Sequence, residues 1–356
     1  MTRRSTLALA ACLAFALAPT FAAEDSADGV AEGSAVEATS TMTRAAHLFL
    51  SSLSEEQRAA AVFPFDGEER FEMRLAPMPA WGGLRVGDMS LGQQVLVNIL
   101  LSASLSAEGY QKTAGVMALE GYLVELEEAR GRVPAVHGME RYTVAVFGEP
   151  ISGATWGWRL QGHHLSQNFA VVNGTVTTNA PAYHGAEPHY VAEGPRKGWH
   201  LLGAEETLGR AVMAALNEAQ RKQATIAEEM PRDLFVGHDR TYDLETPKGV
   251  LFGDLAAEPQ AAIRELVAEY VDNARADVAS RRRELLEKGG WQNVRFAWIG
   301  SLEPGERMYY RVQGPEFLIE YCAVALSRNH VHTIWREKNG DFGRDLLAEH
   351  MTGAAH

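Results

Sequence analysis

Trp158-Arg-Leu-Gln-Gly162 recurs in this chain as Tyr310-Arg-Val-Gln-Gly314. Two copies of one unit must reach the same local fold. What the copies share therefore reads as architecture, and what one copy alone carries is where function is sought. Other echoes lie further out. Leu53-Ser-Glu-Glu-Gln-Arg58 answers to Leu216-Asn-Glu-Ala-Gln-Arg221, and Gly83-Leu-Arg-Val-Gly-Asp-Met89 to Gly249-Val-Leu-Phe-Gly-Asp-Leu255. These echoes run at a larger offset than Gly162 and Gly314 do. The intervening loops must therefore differ in length, which is where duplicated units usually diverge.

Periodicity gives each copy the same order. Apolar residues at helical spacing mark Thr43–Ala61, the stretch after Met89, and about Tyr110–Arg130. Period-two alternation then marks residues 142–148, 156–162, 165–172 and 175–178, with Asn173-Gly174 as a tight hairpin signal. Residues 180–200 read as irregular. The second copy predicts helices over Ala204–Arg221, about Pro259–Val271 and Ala274–Lys288. Strands follow over Val294–Gly300, Met308–Val312, Phe317–Val324 and Val331–Trp335. Helices grouped before strands favour an α+β class. The expected form is two tandem pseudo-symmetric units, residues 43–200 and 201–356. Each has about three helices followed by a four-stranded antiparallel sheet, and the two pack about a pseudo-twofold axis into one compact domain.

The chain opens with Met1-Thr-Arg-Arg4, an apolar run from Ser5 to Ala18, and small residues up to Ala23. That order reads as a secretory signal peptide over residues 1–23, its apolar run too short for a comfortable membrane span. Leu9-Ala-Ala-Cys12 also looks like a bacterial lipoprotein signal. A lipid anchor at Cys12 is the minority reading, because the apolar run continues past it. Residues 24–42 are rich in Ala, Glu, Ser, Thr and Asp and are expected to form a disordered leader. The protein is thus expected to be exported, periplasmic or secreted. No later stretch is apolar enough for a transmembrane segment. A net charge of −13 lacks the basic footprint that nucleic-acid binding needs. Without the signal only Cys322 remains of two cysteines, so no intramolecular disulfide can form.

Arg159, Gln161 and Gly162 are shared with Arg311, Gln313 and Gly314. The motif reads first as structural, glycine supplying a bend and arginine a bidentate hydrogen bond. Beside a site, Arg159, Gln161 and Arg336 are the candidates to position an anionic or polar substrate. The histidines are private. His163 and His164 align with Pro315 and Glu316, and His330 and His332 with Thr178 and Ala180. On a strand, His330 and His332 point to one face and suit a single transition-metal ion such as zinc, copper or iron. His163 and His164 on a strand would face opposite ways, so one of them joins that site more naturally. A third histidine or a carboxylate, Glu316 or Glu320, would complete the ligand set. The plain alternative is a pair of core histidines that only hydrogen-bond. Ring nitrogens more than about 8 Å apart would exclude a shared ion, since Zn–N bonds are ~2 Å. Cys322 reads as a small core hydrophobe, and His184 and His189 as loop histidines on the surface or at a pocket rim. Trp156, Trp158, Trp298 and Trp335 read as core or pocket wall. No phosphate-binding glycine loop, His-Glu-x-x-His or Gly-x-Ser-x-Gly is convincing.

Four segments occur in order: Gly162-His-His-Leu-Ser-Gln-Asn168, Gly314-Pro-Glu-Phe-Leu-Ile-Glu-Tyr321, Asn329-His-Val-His332 with Trp335-Arg336, and Asp341-Phe-Gly-Arg-Asp-Leu-Leu347. Together they resemble a bacterial family catalogued as domain of unknown function number 3500. The resemblance covers nearly all of the chain after the leader. It implies export and carries no activity. The His-His and His-x-His positions match the family's pattern. Cys322-Ala-Val-Ala-Leu326 departs from its usual polar stretch, so the resemblance gives Cys322 no role. The reading is an exported transition-metal-dependent enzyme, a hydrolase or an oxidoreductase, acting on a small-molecule substrate. The alternatives are a non-catalytic metal- or small-ligand-binding protein of the cell envelope, and a duplication whose histidines are purely structural.

Overall fold

The computed structural model describes residues 31–76, 81–131, 137–237, 247–325, 327–338 and 340–343. The signal segment and Cys12 lie outside them. The first half contains helices α1 (Ala31–Ser51), α2 (Glu55–Ala61), α3 (Leu91–Ser102) and α4 (Ala107–Ala129), with short strands β1 (Val62–Phe63) and β2 (Leu84–Arg85) between them. Strands β3 (Thr143–Phe147), β4 (Trp156–Gly162), β5 (Leu165–Val172), β6 (Thr175–Thr178) and β7 (Ala182–Ala186) follow. The second half has helices α5 (Gly203–Ala215), α6 (Glu218–Ala224), α7 (Ala257–Val271) and α8 (Ala276–Gly289), with β8 (Val250–Leu251) before α7. Then come β9 (Arg295–Gly300), β10 (Met308–Gln313), β11 (Phe317–Ala323) and β12 (Val331–Glu337). The mixed helix-and-sheet class is as expected. No described helix is long and apolar enough to cross a membrane.

Local chemistry explains the echoes. Ser54 and Asn217 cap α2 and α6, and Gln57 and Gln220 reach back to close capping boxes. Gly83 (φ +119°) and Gly249 (φ +101°) pass so close to β3 and β9 that a Cβ would meet Val144 O at 2.7 Å and Phe296 O at 2.1 Å. Only glycine fits both demands. One expectation shifts: α1 begins at Ala31, inside the stretch taken for a disordered leader. Its alanines and glutamates favour helix.

Among the described residues, twelve strands form one sheet, ordered β1-β3-β4-β5-β7-β12-β11-β10-β9-β8, with β2 on β3 and β6 on β5. The expected two sheets are joined at their centre by β7, which pairs with β5 along one edge and β12 along the other. β7 is Ala182-Tyr-His-Gly-Ala186, with no β-branched residue, so its sequence carries little strand signal. It is made by its partners' main chains. On either side the pairings follow the same scheme. Thr143 opposes Gln161 as Arg295 opposes Gln313, and Gln161 opposes Ser166 as Gln313 opposes Leu318.

Alternation sorts the side chains onto two buried faces. Trp156, Trp158, Leu160, Leu165 and Val171 pack under α1, α3 and α4 with Phe49, Leu100 and Val116. Phe296, Trp298, Tyr310, Ile319 and Trp335 pack under α5, α7 and α8 with Val212, Ile263 and Leu286. The opposite face is covered by irregular chain. Met73, Val236 and Phe342 lie on Tyr183, Leu318 and Ile334, and Ile226, Met230 and Leu234 on Ile299, Tyr309 and Cys322. Burial pushes the Cys322 thiol well up, as befits a core residue.

Arginines pin that irregular cover. Arg159 donates to Glu69 O and Glu72 O at 2.7 and 2.6 Å and pairs with the Glu69 carboxylate. Arg336 donates to Asp341 Oδ2 and Val236 O. The Gln161 side-chain oxygen accepts from the Arg74 amide at 3.2 Å.

Candidate metal centre

The centre forms where β7 meets β12 and the β4–β5 hairpin turns beside them. His163 and His164 are the two central residues of that turn, between the paired Gly162 and Leu165. They do not lie on a strand facing opposite ways, as the sequence suggested. The turn sends His164 to φ +62°, a left-handed backbone that few residues other than glycine adopt. It also stacks the two rings, centroids 3.7 Å apart. His330 and His332 alternate at the start of β12 and share one face, as expected.

Three ring nitrogens converge. His164 Nε2 lies 2.8 Å from His330 Nε2, which lies 2.9 Å from His332 Nε2. Two nitrogens bound to one zinc at ~2.0–2.1 Å can be at most about 4 Å apart; both of these gaps meet that limit, and the three atoms all lie within 4.8 Å of one another. Gly185 makes the room. A Cβ there would sit 2.7 Å from His164 Cδ2 and 2.9 Å from His332 Cδ2. Its amide also donates to His164 O at 2.7 Å, holding the turn in place. Gly185→Ala should therefore displace both rings. An overpacking cost of about 1–3 kcal/mol corresponds to a loss of metal affinity on the order of ten- to a hundredfold. Competition against a chelating indicator reads this directly, and unchanged affinity would mean the rings do not need that space.

Proton positions follow from the partners. A carboxylate only accepts, so the His332 proton sits on Nδ1, 2.7 Å from Asp233 Oδ1. The His330 Nδ1 lies 3.3 Å from Glu187 Oε2, within ion-pair reach though out of line for a hydrogen bond. That carboxylate draws the His330 proton to the same side. With those tautomers His330 and His332 turn their Nε2 lone pairs toward each other, and His164 Nε2 faces His330. Protonating His164 and His330 is opposed by the surroundings. Burial, then His163, holds His164 well below the ordinary histidine range, and burial, then His332, holds His330 down to about 3. For Asp233, burial pushes upward, but the hydrogen bond and charge of His332, the Leu234 amide and His330 together outweigh it and keep the carboxyl below its ordinary value. Carboxylates behind ligand imidazoles are the usual outer support of a metal site, fixing tautomer and orientation.

His163 joins a different group. Its Nδ1 lies 2.9 Å from Glu120 Oε2 on α4, and its ring stacks on His137 at 5.0 Å. Glu120, His137 and His163 are a second set spaced to hold an ion. Glu320 is not with the histidines. It is buried under the cover segment, accepting from Tyr309 Oη and from the Val236 amide at 2.9 Å. Its register explains this: Glu320 opposes Ile334, whereas Cys322 opposes His332. Arg159 and Arg336 are engaged by the cover segments rather than by the histidines, and Gln161 holds the Arg74 amide, so their geometry is that of braces. His184 is no rim residue; its Nε2 is buried 3.3 Å from Thr113 Oγ1 and 3.2 Å from Gln167 Nε2. Sequence reasoning missed Asp233, Glu187, Glu120, His137 and Gly185. Only Gly185 carried a signal, as a glycine directly after a histidine.

A family model described as a protein of unknown function (DUF3500) matches residues 35–344. No curated protein and no solved structure matches the chain.

Proposed function

Because the chain belongs to the DUF3500 family, whose description carries no activity, we propose its role from geometry: a transition-metal-dependent enzyme, exported by the signal segment at residues 1–23. The observation that carries this is the convergence of three Nε2 atoms, two of the gaps being 2.8 and 2.9 Å, in a pocket whose burial disfavours protonation of His164 and His330. Imidazole ligands suit zinc, copper or iron. Three protein ligands leave a coordination position open, the arrangement of catalytic zinc sites. Such an ion would supply either an activated water for hydrolysis or a redox change. His164, His330 and His332 would bind it, while Asp233 and Glu187 orient the rings. A small-molecule substrate would enter from the Asp233 side, where the site nears the surface.

A second reading is metal binding without turnover, as in a cell-envelope metal carrier. It is favoured by the Glu120, His137 and His163 set stacked against the first. Titration of the metal-free protein with zinc, copper(II) and iron(II), followed by thermal unfolding, tests the metal itself. A Tm rise that a chelator reverses is expected; no rise with any of the three would refute it. We also read residues 43–200 and 201–356 as two copies sharing one sheet, a reading supported by the matching registers on either side of β7 and β12.

Acid should act in one direction. His330 and His184 both lie at about 3 in the fold, each mainly through burial, and His164 is lowered too. A histidine depressed from 6.5 binds fewer protons folded than unfolded, so stability rises with pH between about 3 and 6.5 and levels off above. Asp341, pushed up to about 6 by burial, opposes this between 3.8 and 6, as do Glu320 and Glu187, raised by burial, while a lowered His200 adds to it. Metal retention falls in the same direction, because ligand imidazoles must be neutral. The metal-free protein should be less stable to urea near pH 5 than near pH 7; equal or greater stability at pH 5 would contradict this.

A further inference from the structure

A third group of ligand atoms lies apart from the centre, in the loop between β7 and α5. His189 Nε2 is 2.9 Å from both Glu206 Oε2 and His200 Nε2, and His200 Nε2 is 3.6 Å from the same carboxylate oxygen. The His189 Nδ1 lies 2.7 Å from the carbonyl of Leu201. A carbonyl only accepts, so the proton is on Nδ1 and a neutral His189 turns a bare Nε2 to a carboxylate and to a second imidazole. One extra proton on His189 would serve one of these neighbours well and not both. A cation between the three atoms serves all at once.

The surroundings are built for fixed ligands. The other oxygen of Glu206 accepts from Arg210 Nε at 3.0 Å, which orients the carboxylate. The His200 ring lies flat on Gly203, where a Cβ would come within 2.6 Å of it. His189 and His200 meet edge to face at 71°, centroids 4.4 Å apart, so their nitrogens converge instead of stacking in parallel. His189 is buried, whereas His200 is 38% exposed, leaving a side open to solvent ligands.

We propose that His189, His200 and Glu206 form a second, structural site for a zinc-like divalent transition cation, which staples the 187–203 loop to the first turn of α5. The staple sits directly behind the metal centre. The His189 amide donates to Asn329 O, and the Asn329 side chain bonds both main-chain polar groups of Tyr190. Asn329 precedes His330, and Glu187 at the loop's start faces the His330 ring. An ion here would therefore hold in register the chain that carries the first site, though the site itself is made of different residues.

The test titrates zinc alone, against a chelating indicator, into the full-length protein and into the His330→Ala/His332→Ala variant. The variant should keep a tightly held equivalent, besides any at Glu120, His137 and His163, and a zinc-dependent rise in Tm. Adding His200→Ala, or separately the near-isosteric Glu206→Gln, should remove that equivalent and the rise it gives. In the otherwise unaltered protein, each of these two changes should lower the stoichiometry by one while the first site stays loaded. His200 is on the surface and Glu206→Gln keeps the side chain's shape, so circular dichroism should be unchanged. The proposal is overturned if the His330→Ala/His332→Ala variant holds no zinc, or if neither His200→Ala nor Glu206→Gln lowers the zinc it holds by one equivalent. In the first case, one equivalent in the unaltered protein would leave the main centre standing. Loss of zinc at the main centre alone, with the His200-dependent equivalent intact, would defeat the other reading and not this one.

Discussion

Replacing His330 and His332 together with alanine should remove metal from the main centre and with it any metal-dependent activity. Two of three converging nitrogens disappear, and the third, on His164, is left buried with no nitrogen partner at 2.8 Å. Carboxylates behind ligand histidines are alone worth about 10–100-fold in metal affinity. Loss of two ligands should therefore exceed about a thousandfold, more than ~4 kcal/mol. The fold should survive, because both positions lie at the start of β12, whose later residues Ile334 and Trp335 supply the core contacts. Equilibrium dialysis of variant and parent, with circular dichroism on each, measures both statements. Equal metal affinity in the two proteins would mean that the histidines are core residues.

The second large effect concerns stability. Arg282 on α8 is 1% exposed, donates from Nε to Glu337 Oε1 at 3.0 Å, and also bonds Asn179 O. Its guanidinium lies 4.6 Å from the Trp335 ring centroid. Glu337 is equally buried and takes further bonds from Arg281 and from Thr178 Oγ1. Burial pushes Glu337 upward, but Arg281 and Arg282 outweigh it and hold the carboxylate ionised. Arg282→Met keeps most of the apolar volume and removes the inner partner of that charge. Breaking a buried pair in this way costs about 3–5 kcal/mol. Urea unfolding should show a loss of that order, and Arg282→Met/Glu337→Leu should recover much of it, because no charge is then stranded. A loss below about 1 kcal/mol would mean that Arg281 and solvent suffice for Glu337.

Much of this was legible in the sequence. Period-two alternation from Trp156 to Val172 and from Met308 to Val324 located the strands, because both faces of the sheet are buried and bulky residues recur on each. The echo of Leu53–Arg58 in Leu216–Arg221 was legible, but the sequence read one helix through each, whereas Ser54 and Asn217 cap the new helices α2 and α6. His330 and His332 were placed together by strand geometry alone. Other parts could not be read locally. β7 has no strand composition; it exists because β5 and β12 each offer a free edge. The role of His164 depends on a turn, whereas alternation gave a strand, and that one change sends His163 to Glu120 and His164 to His330. By sequence Glu320 is only a carboxylate that could complete the ligand set, and the pairing register sets Cys322, not Glu320, opposite His332. Asp233 and Glu187 come from irregular chain, for which no periodicity exists to read.

X-ray absorption at the metal edge of the purified, metal-loaded protein tests the central claim most directly. It reports the ligand type and the distance without assuming an activity. The account predicts at least one ion bound by imidazole nitrogens at ~2.0–2.1 Å, with the contribution of the main-centre ion lost in His330→Ala/His332→Ala. A spectrum unchanged in that variant, or a first coordination sphere of oxygens alone, would contradict it.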